Sequence, residues 1–175
     1  IQPGVVVGKF AVNKDKTVAY GVLINSLHTI YKYEKSAGWS ASRVGECSGL
    51  IPTNVDIWSC ALDATEEYLY ILANNGQLVR MEIANPSNQE IYLDGAGLLN
   101  NGTFNYIAYS HFEDCHYFTQ KDRNRIYRLP LGSKTLEDVN LITTPGVEDG
   151  YLAEAKFNNL MGLTFDEDGN IYDVQ

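Results

Sequence analysis

Histidine is the side chain most often used for proton transfer near neutral pH, and this chain of 175 residues has three of them. His111 and His116 bracket a predicted hairpin turn, where we expect one of the two to be exposed, whereas His28 enters a strand in another part of the chain. The sequence also lacks a nucleophile elbow, a phosphate-binding loop and a Cys-His pairing. It therefore predicts no catalytic residue and no cofactor.

Cysteine is the other candidate for nucleophilic chemistry or metal binding, and three are present: Cys47, Cys60 and Cys115. They show no metal-ligand spacing, and Cys60 and Cys115 fall in predicted strands. We expect small buried hydrophobic side chains rather than a disulfide framework.

The segment Asp166 to Asn170 has the alternating oxygen ligands and the glycine with which a calcium-binding loop begins. No glutamate follows at the spacing that a bidentate ligand requires. Asp168-Gly169 lies between two apolar runs, and glycine accepts the positive φ of a hairpin turn. The segment is therefore predicted to be a turn, and the chain is predicted to have no metal site.

The strands of this chain are predicted from a sequence pattern that repeats along it. An apolar run, a polar turn and a second run that contains a tyrosine recur along the chain, and a third run with a base in its third place follows in the first three copies. These third runs begin 48 residues apart, at Ile30, Leu78 and Ile126. The tyrosines and bases of the repeat are Tyr20, Tyr70, Tyr117 and Tyr172, with Lys32, Arg80 and Arg128. We expect the tyrosines to pack in the core and the bases to lie on a solvated strand face.

A fourth, less regular run is predicted near residues 41–44, 90–93 and 141–143. Four short strands in each repeat of this length are typical of the blades of a β-propeller, and an antiparallel sandwich is the alternative. The fold class is therefore predicted as all-β, with blades at residues 4–44, 55–93, 104–143 and a fourth that is cut short at 158–175. About three and a half blades are too few for a closed ring, so we expect a segment of a longer chain. The only plausible helix lies around Tyr151 to Phe157.

The bulk composition excludes two classes of partner. The formal net charge of −9 disfavours binding to nucleic acid and to anionic lipid. The chain also has no long apolar run, so we expect no membrane span.

The last thirty residues and the third copy of the repeat resemble the NHL repeat. The similarity lies in Gly146 to Gly150, in Phe157-Asn158-Asn159 and in Gly162 to Tyr172, together with Lys121 to Leu129 of the third copy. Met161 stands where the family prefers proline, and the first two copies match only in outline. Acidic, aromatic-rich propellers of this kind resemble those of bacterial cell-surface lipoproteins encoded with TonB-dependent nutrient importers.

The resemblance also indicates where enzymes of this kind hold their metals. Amidating lyases with NHL-like propellers use histidines of the inner strands, and this chain has none at those positions. Lactonase-like propellers use carboxylates and asparagines that face the channel, where this chain offers only Asp56, Asn105 and Asn158. We therefore expect a chain without enzymatic activity, unless catalytic residues lie in further blades.

Propeller geometry places a ligand at the channel mouth, where the loops before the first strands and after the second strands meet. Asparagine, aspartate and aromatic side chains there suit a neutral glycan or a peptide, although Asn and Asp also favour turns for structural reasons. The candidate ligand-binding residues are Asn54, Asp56, Trp58, Asn74, Asn75, Asn105, Tyr106, Asp122, Asn124, Asn158 and Asn159, and Asn25 lies in an equivalent loop.

Three functions remain open at this stage. The resemblance implies a non-catalytic binding or accessory protein on the extracellular face of a bacterial outer membrane, which captures a glycan or peptide for a transporter and its lipoprotein partners. The alternatives are a lactonase or amidating lyase with catalytic residues in other blades, and a structural platform that binds another protein.

Overall fold

The computed structural model describes residues 7–23, 28–94 and 104–174. Asn25, the start of the first predicted blade at residue 4 and the last residue of the chain lie outside this part. The strands are β1 (Val7–Val12), β2 (Val18–Leu23), β3 (Thr29–Glu34), β4 (Ser40–Glu46), β5 (Ile57–Leu62), β6 (Tyr68–Ala73), β7 (Leu78–Glu82), β8 (Gln89–Leu93), β9 (Phe104–Ser110), β10 (Cys115–Gln120), β11 (Arg125–Pro130), β12 (Glu137–Asp138), β13 (Gly162–Phe165) and β14 (Ile171–Val174).

These strands form four antiparallel sheets that follow one another along the chain. Strands β1 to β4, β5 to β8 and β9 to β12 each make a four-stranded sheet in sequence order, and β13 and β14 make a hairpin. The first strands of neighbouring sheets, β1, β5, β9 and β13, contact each other in turn. The prediction of four-stranded antiparallel blades is thereby confirmed.

The repeated tyrosine and base lie directly opposite each other on adjacent strands. Tyr20 pairs with Lys32, Tyr70 with Arg80 and Tyr117 with Arg128. On its other side each of these tyrosines pairs with an alanine of the first strand, namely Ala11, Ala61 or Ala108. The small alanine leaves room for the neighbouring ring. Alanine, tyrosine and a base therefore lie side by side in each of the three sheets.

The core is divided into three clusters, and each lies between two consecutive sheets. Tyr20 belongs to the cluster between the first and second sheets, Tyr70 to the next and Tyr117 to the third. Their exposed fractions are 7%, 1% and 3%, which confirms the prediction that these tyrosines pack in the core. Tyr172, at the same position of the fourth sheet, is 56% exposed, because no described sheet packs on its side of the hairpin.

The three repeated bases are partly exposed, as predicted, and each is also paired with a carboxylate. Lys32 contacts Glu34 at 2.8 Å, Arg80 contacts Glu90 at 2.5 Å and Arg128 contacts Glu137 at 2.6 Å. The guanidinium of Arg80 also lies over the rings of Tyr68 and Tyr92, 4.7 and 4.9 Å from their centroids. The bases therefore cover the outer edge of the aromatic core as well as facing solvent.

Two of the predicted elements are wrong. The fourth strand of the third sheet is β12 at Glu137–Asp138 and not residues 141–143, because Asn140 ends the strand by accepting a hydrogen bond from the Ile126 N–H and donating to two backbone carbonyls. The predicted helix at residues 151–157 is a single turn, in which Tyr151 O accepts from the N–H groups of Glu154 and Ala155. An antiparallel bridge between Glu148 and Lys156 takes the place of further helical hydrogen bonds.

Among the described residues, regular helical structure is limited to short 3-10 turns at Lys35–Ala37 and Lys121–Arg123. None of the helical structure in that part of the chain is long and apolar enough to cross a membrane.

The free energy of unfolding provides a test of the tyrosine packing. We expect Tyr70→Ala to lower it by about 3–5 kcal/mol, as for other fully buried aromatic side chains, because the cavity would lie between two sheets. Tyr172→Ala is the matched control at the equivalent position and should cost less than about 1 kcal/mol, since its ring is more than half exposed. Urea unfolding of both variants measures the difference, and equal losses would contradict the assignment.

Candidate functional site

The predicted ligand-binding residues lie at one end of the sheets, where the first strands begin and the second strands end. We call this end the loop face, and the opposite end, where the first strand turns into the second, the hairpin face. Within the loop face, Asn74 N donates to Asp56 O at 2.8 Å in the second sheet. Asn124 Oδ1 accepts from Asn159 N at 2.8 Å and so joins the third sheet to the fourth.

Several of the predicted amides hold the backbone of their own loops. Asn105 is 7% exposed, and its Oδ1 accepts from Lys121 N at 2.8 Å, where the 3-10 turn after β10 begins. Asn124 is equally buried and has a left-handed φ of 51°. The amide of Asn75 donates to Gln77 Oε1 at 2.7 Å across a tight turn. These asparagines have the structural roles that Asn often takes in turns, and Asn105 and Asn124 are too buried to offer much surface to a ligand.

The remaining predicted side chains are accessible. Asn54, Asp56, Asp122, Asn158 and Asn159 are all exposed on the loop face. They place carboxylate and amide oxygens and amide N–H groups in solvent on both the second and the third sheet, and at the start of the fourth. Such groups can bind hydroxyl groups or a peptide backbone.

A β-bulge recurs at the beginning of three first strands, close to the loop face. The register of β1 with β2 skips Gly8, that of β5 with β6 skips Trp58, and that of β9 with β10 skips Asn105. A bulge re-aims the side chain of its extra residue. Trp58 is half-buried, and its Nε1–H has no hydrogen-bond partner among the described residues. This nitrogen is itself buried, so the bulge leaves an unsatisfied donor beneath the surface.

Tyr106 follows the bulge at Asn105, is half-buried and packs across the boundary between the third and fourth sheets. Its ring lies against Gly162, where an added Cβ would meet the ring carbons at 3.7 Å. Burial raises the pKa of its hydroxyl, so Tyr106 is a neutral donor and acceptor.

The structure also contains a concavity that was not predicted from the sequence. A groove of about 1110 Å³ runs along β1, β5, β9 and β13 toward the hairpin face. Phe10, Val12 and Phe112 line it and are 47%, 53% and 65% exposed. The ring of Phe112 covers Gly169, which has a φ of 83°, and an added Cβ there would approach the ring within 2.6 Å. The exposed apolar residues were visible in the sequence, but their convergence depends on the curvature of the sheets.

The hairpin turn at Asp166 is confirmed. The Asp166 carboxylate accepts hydrogen bonds from Asp168 N at 3.1 Å, from Asn170 N at 2.8 Å and from the Asn170 side chain at 2.8 Å. These bonds hold its pKa below the usual value. The carboxylate oxygens therefore close the turn between β13 and β14. In residues 7–23, 28–94 and 104–174, no three His, Cys, Asp or Glu side chains are grouped closely enough to hold a metal ion.

The histidines and cysteines are placed as the sequence indicates. His111 is exposed, and Cys47, Cys60 and Cys115 are buried free thiols. Burial raises the pKa of Cys47 and of Cys60 to about 12, so both remain protonated near neutral pH. His116 is 1% exposed, with its ring centroid 4.2 Å from that of Tyr70, and burial lowers its pKa to about 3. Cys47, Cys60 and His116 are therefore uncharged near neutral pH.

Solved structures similar to this chain are β-propeller proteins. One is a structural genomics protein of unknown function from Bacteroides thetaiotaomicron VPI-5482, which is 30% identical with a TM-score of 0.84 over 99% of this chain and 43% of its own. Another is an auxiliary nutrient binding protein from the same organism, at 15% identity and a TM-score of 0.63 over 91% of this chain and 43% of its own. A third is YCF48 bound to D1 peptide, at 11% identity and a TM-score of 0.59 over 97% of this chain and 46% of its own.

The fold of this chain is that of a β-propeller. It spans less than half the length of each of these three structures. No protein-family model matches the sequence, and no curated protein does.

The low pKa of His116 in the folded state predicts how the free energy of unfolding depends on pH. In the folded state its pKa is about 3, whereas an unfolded histidine titrates near 6.5. Between these values the unfolded state binds more protons, so stability falls as the pH is lowered from about 6.5 toward 3, by up to about 1.4 kcal/mol per pH unit from this residue. His116→Phe should remove this contribution, and His111→Asn should not, because His111 is exposed. Urea unfolding at a series of pH values compares the slopes, and an unchanged slope in His116→Phe would refute the prediction.

Proposed function

We propose that this chain is part of a non-catalytic binding protein that takes up its ligand on the loop face. The observation that carries the proposal is the set of exposed polar side chains there, which includes Asn54, Asp56 and Asp122. The half-buried aromatic residues Trp58 and Tyr106 lie near the beginnings of two neighbouring first strands, at the same end of the sheets. Polar side chains of this kind combined with aromatic surface are typical of sites for small polar ligands.

The ligand class that fits this face is a neutral glycan or a peptide. Asn and Asp side chains bind hydroxyl groups and peptide backbone, and aromatic rings pack on the apolar faces of sugars or side chains. The net charge of −9 disfavours phosphate-rich ligands. The proposal is also supported by two of the similar structures, one named as an auxiliary nutrient binding protein and one bound to a peptide.

The cellular setting that we propose is the extracellular face of a bacterial outer membrane. There the protein would act as a lipoprotein accessory of a TonB-dependent nutrient importer and would transfer its ligand to that importer or its lipoprotein partners. Support comes from the NHL-like sequence features and from the Bacteroides origin of two of the similar structures.

The proposal of a non-catalytic role rests on the state of the reactive side chains. The thiols are buried and protonated near neutral pH, and His116 is enclosed between aromatic rings. The buried amides of Asn105 and Asn124 accept hydrogen bonds from backbone N–H groups and do not face a substrate.

Ligand binding on the loop face can be tested by calorimetric titration with a panel of neutral oligosaccharides and short peptides. We expect Asp56→Ala combined with Asp122→Ala to weaken binding about tenfold or more, because two exposed hydrogen-bonding groups are removed. Asp15→Ala combined with Glu67→Ala is the matched control, since these exposed acids lie on the hairpin face.

Three outcomes would count against the proposal. If the Asp56/Asp122 variant bound the ligand as tightly as the wild-type protein does, the ligand would have to bind in the groove or on another surface. Conversion of a ligand to a product would make the protein an enzyme. Failure of every glycan and peptide in the panel to bind the wild-type protein would contradict the proposed ligand class.

A further inference from the structure

A long connection without regular secondary structure joins β12 to β13, and its residues 146–157 form a closed loop. Gly146 N donates to Phe157 O at 3.1 Å, and Glu148 and Lys156 exchange backbone hydrogen bonds of 3.2 and 3.0 Å. The side chains of Glu148 and Lys156 also form an ion pair at 2.7 Å. We call residues 146–157 the display loop. These contacts give it a defined shape, and long ordered loops of this type often have a function.

One side of the display loop is fixed to the core. Ala155 and Phe157 are 5% and 7% exposed and belong to the cluster between the third and fourth sheets. The stem of Lys156 lies over Gly146, where an added Cβ would approach it within 2.9 Å. The loop is therefore held by burial on one side as well as by its hydrogen bonds.

The other side of the display loop faces solvent with large apolar side chains. Tyr151 is 83% exposed and Val147 is 74% exposed. Tyr151 is the most exposed large hydrophobic residue in the part of the chain that the structure describes. Single exposed apolar residues are common, but two on one anchored loop offer a rigid apolar surface at little entropic cost on binding.

The charges of the display loop indicate the chemistry of a partner. The only base in the loop is Lys156, which Glu148 engages. Asp149 and Glu154 are exposed, and within the described residues neither has an ion-pair partner. A binding partner would therefore complement two carboxylates next to an aromatic ring and a branched aliphatic side chain.

We propose that the display loop docks a segment of another protein in which lysine or arginine side chains adjoin apolar ones. This interaction surface goes beyond the proposed nutrient site, because it uses Val147, Asp149, Tyr151 and Glu154. Apolar contact with Tyr151 and Val147 supplies affinity, and the carboxylates select basic partners.

The proposal can be tested by fluorescence anisotropy with a labelled peptide of mixed Arg, Lys and Leu, and with a second peptide in which Glu replaces each base. We expect the basic peptide to bind, the acidic peptide not to bind, and Val147→Ser with Tyr151→Ser to weaken binding about tenfold or more. Asp149→Asn with Glu154→Gln should also weaken binding and should reduce its dependence on salt.

Matched control variants distinguish binding at the display loop from nonspecific attraction of the basic peptide to an acidic protein. Ile91→Ser with Leu131→Ser changes two exposed apolar residues elsewhere, and Asp15→Asn with Glu67→Gln removes two exposed charges from the hairpin face. Both control variants should bind the basic peptide as the wild-type protein does. Equal weakening in the controls, or no binding of the basic peptide to the wild-type protein, would overturn the proposal. The Val147/Tyr151 variant should keep the wild-type affinity for any neutral oligosaccharide that binds the loop face, so failure of the nutrient site is distinguishable from failure of this surface.

Discussion

Tyrosine burial between consecutive sheets is the interaction on which the rest of the structure depends. In the first three sheets the ring lies in the core shared with the next sheet, while the opposing strand places a base beside it. Tyrosine suits this position because its ring is apolar and its hydroxyl can reach a polar edge. Burial raises the pKa of the Tyr70 hydroxyl to about 12, so it is neutral beside the Arg80 guanidinium. The same contact repeated between sheets sets their spacing and brings the first strands side by side.

The fold was largely predictable because this interaction leaves a periodic trace in the sequence. Tyrosine, base and turn residues recur at nearly constant spacing, and each marks a strand that the structure contains. Prediction failed where a single side chain outweighs local propensity. Asn140 ends the fourth strand of the third sheet with three hydrogen bonds, and the bridge at Glu148 replaces a helix that the residue types alone would favour.

The loop face was predictable as a location but not in its details. Residue type alone could not separate Asn105 and Asn124, which bind the backbone, from Asn54 and Asp122, which are exposed. That distinction depends on which atoms of neighbouring loops come within hydrogen-bond distance. The groove near Phe10 and Phe112 and the display loop around Tyr151 are also products of tertiary structure, because they require distant segments to curve or pack together.

The recurring bulge at Gly8, Trp58 and Asn105 has a consequence for how such a protein can diversify. One backbone irregularity accommodates a residue with no side chain, a large aromatic residue and a small amide, while the strands on either side keep their pairing. The pairing of the first and second strands is therefore compatible with very different side chains at the bulge. In three of the repeats the residue at this place can therefore differ widely in size without a change in the strand pairing around it.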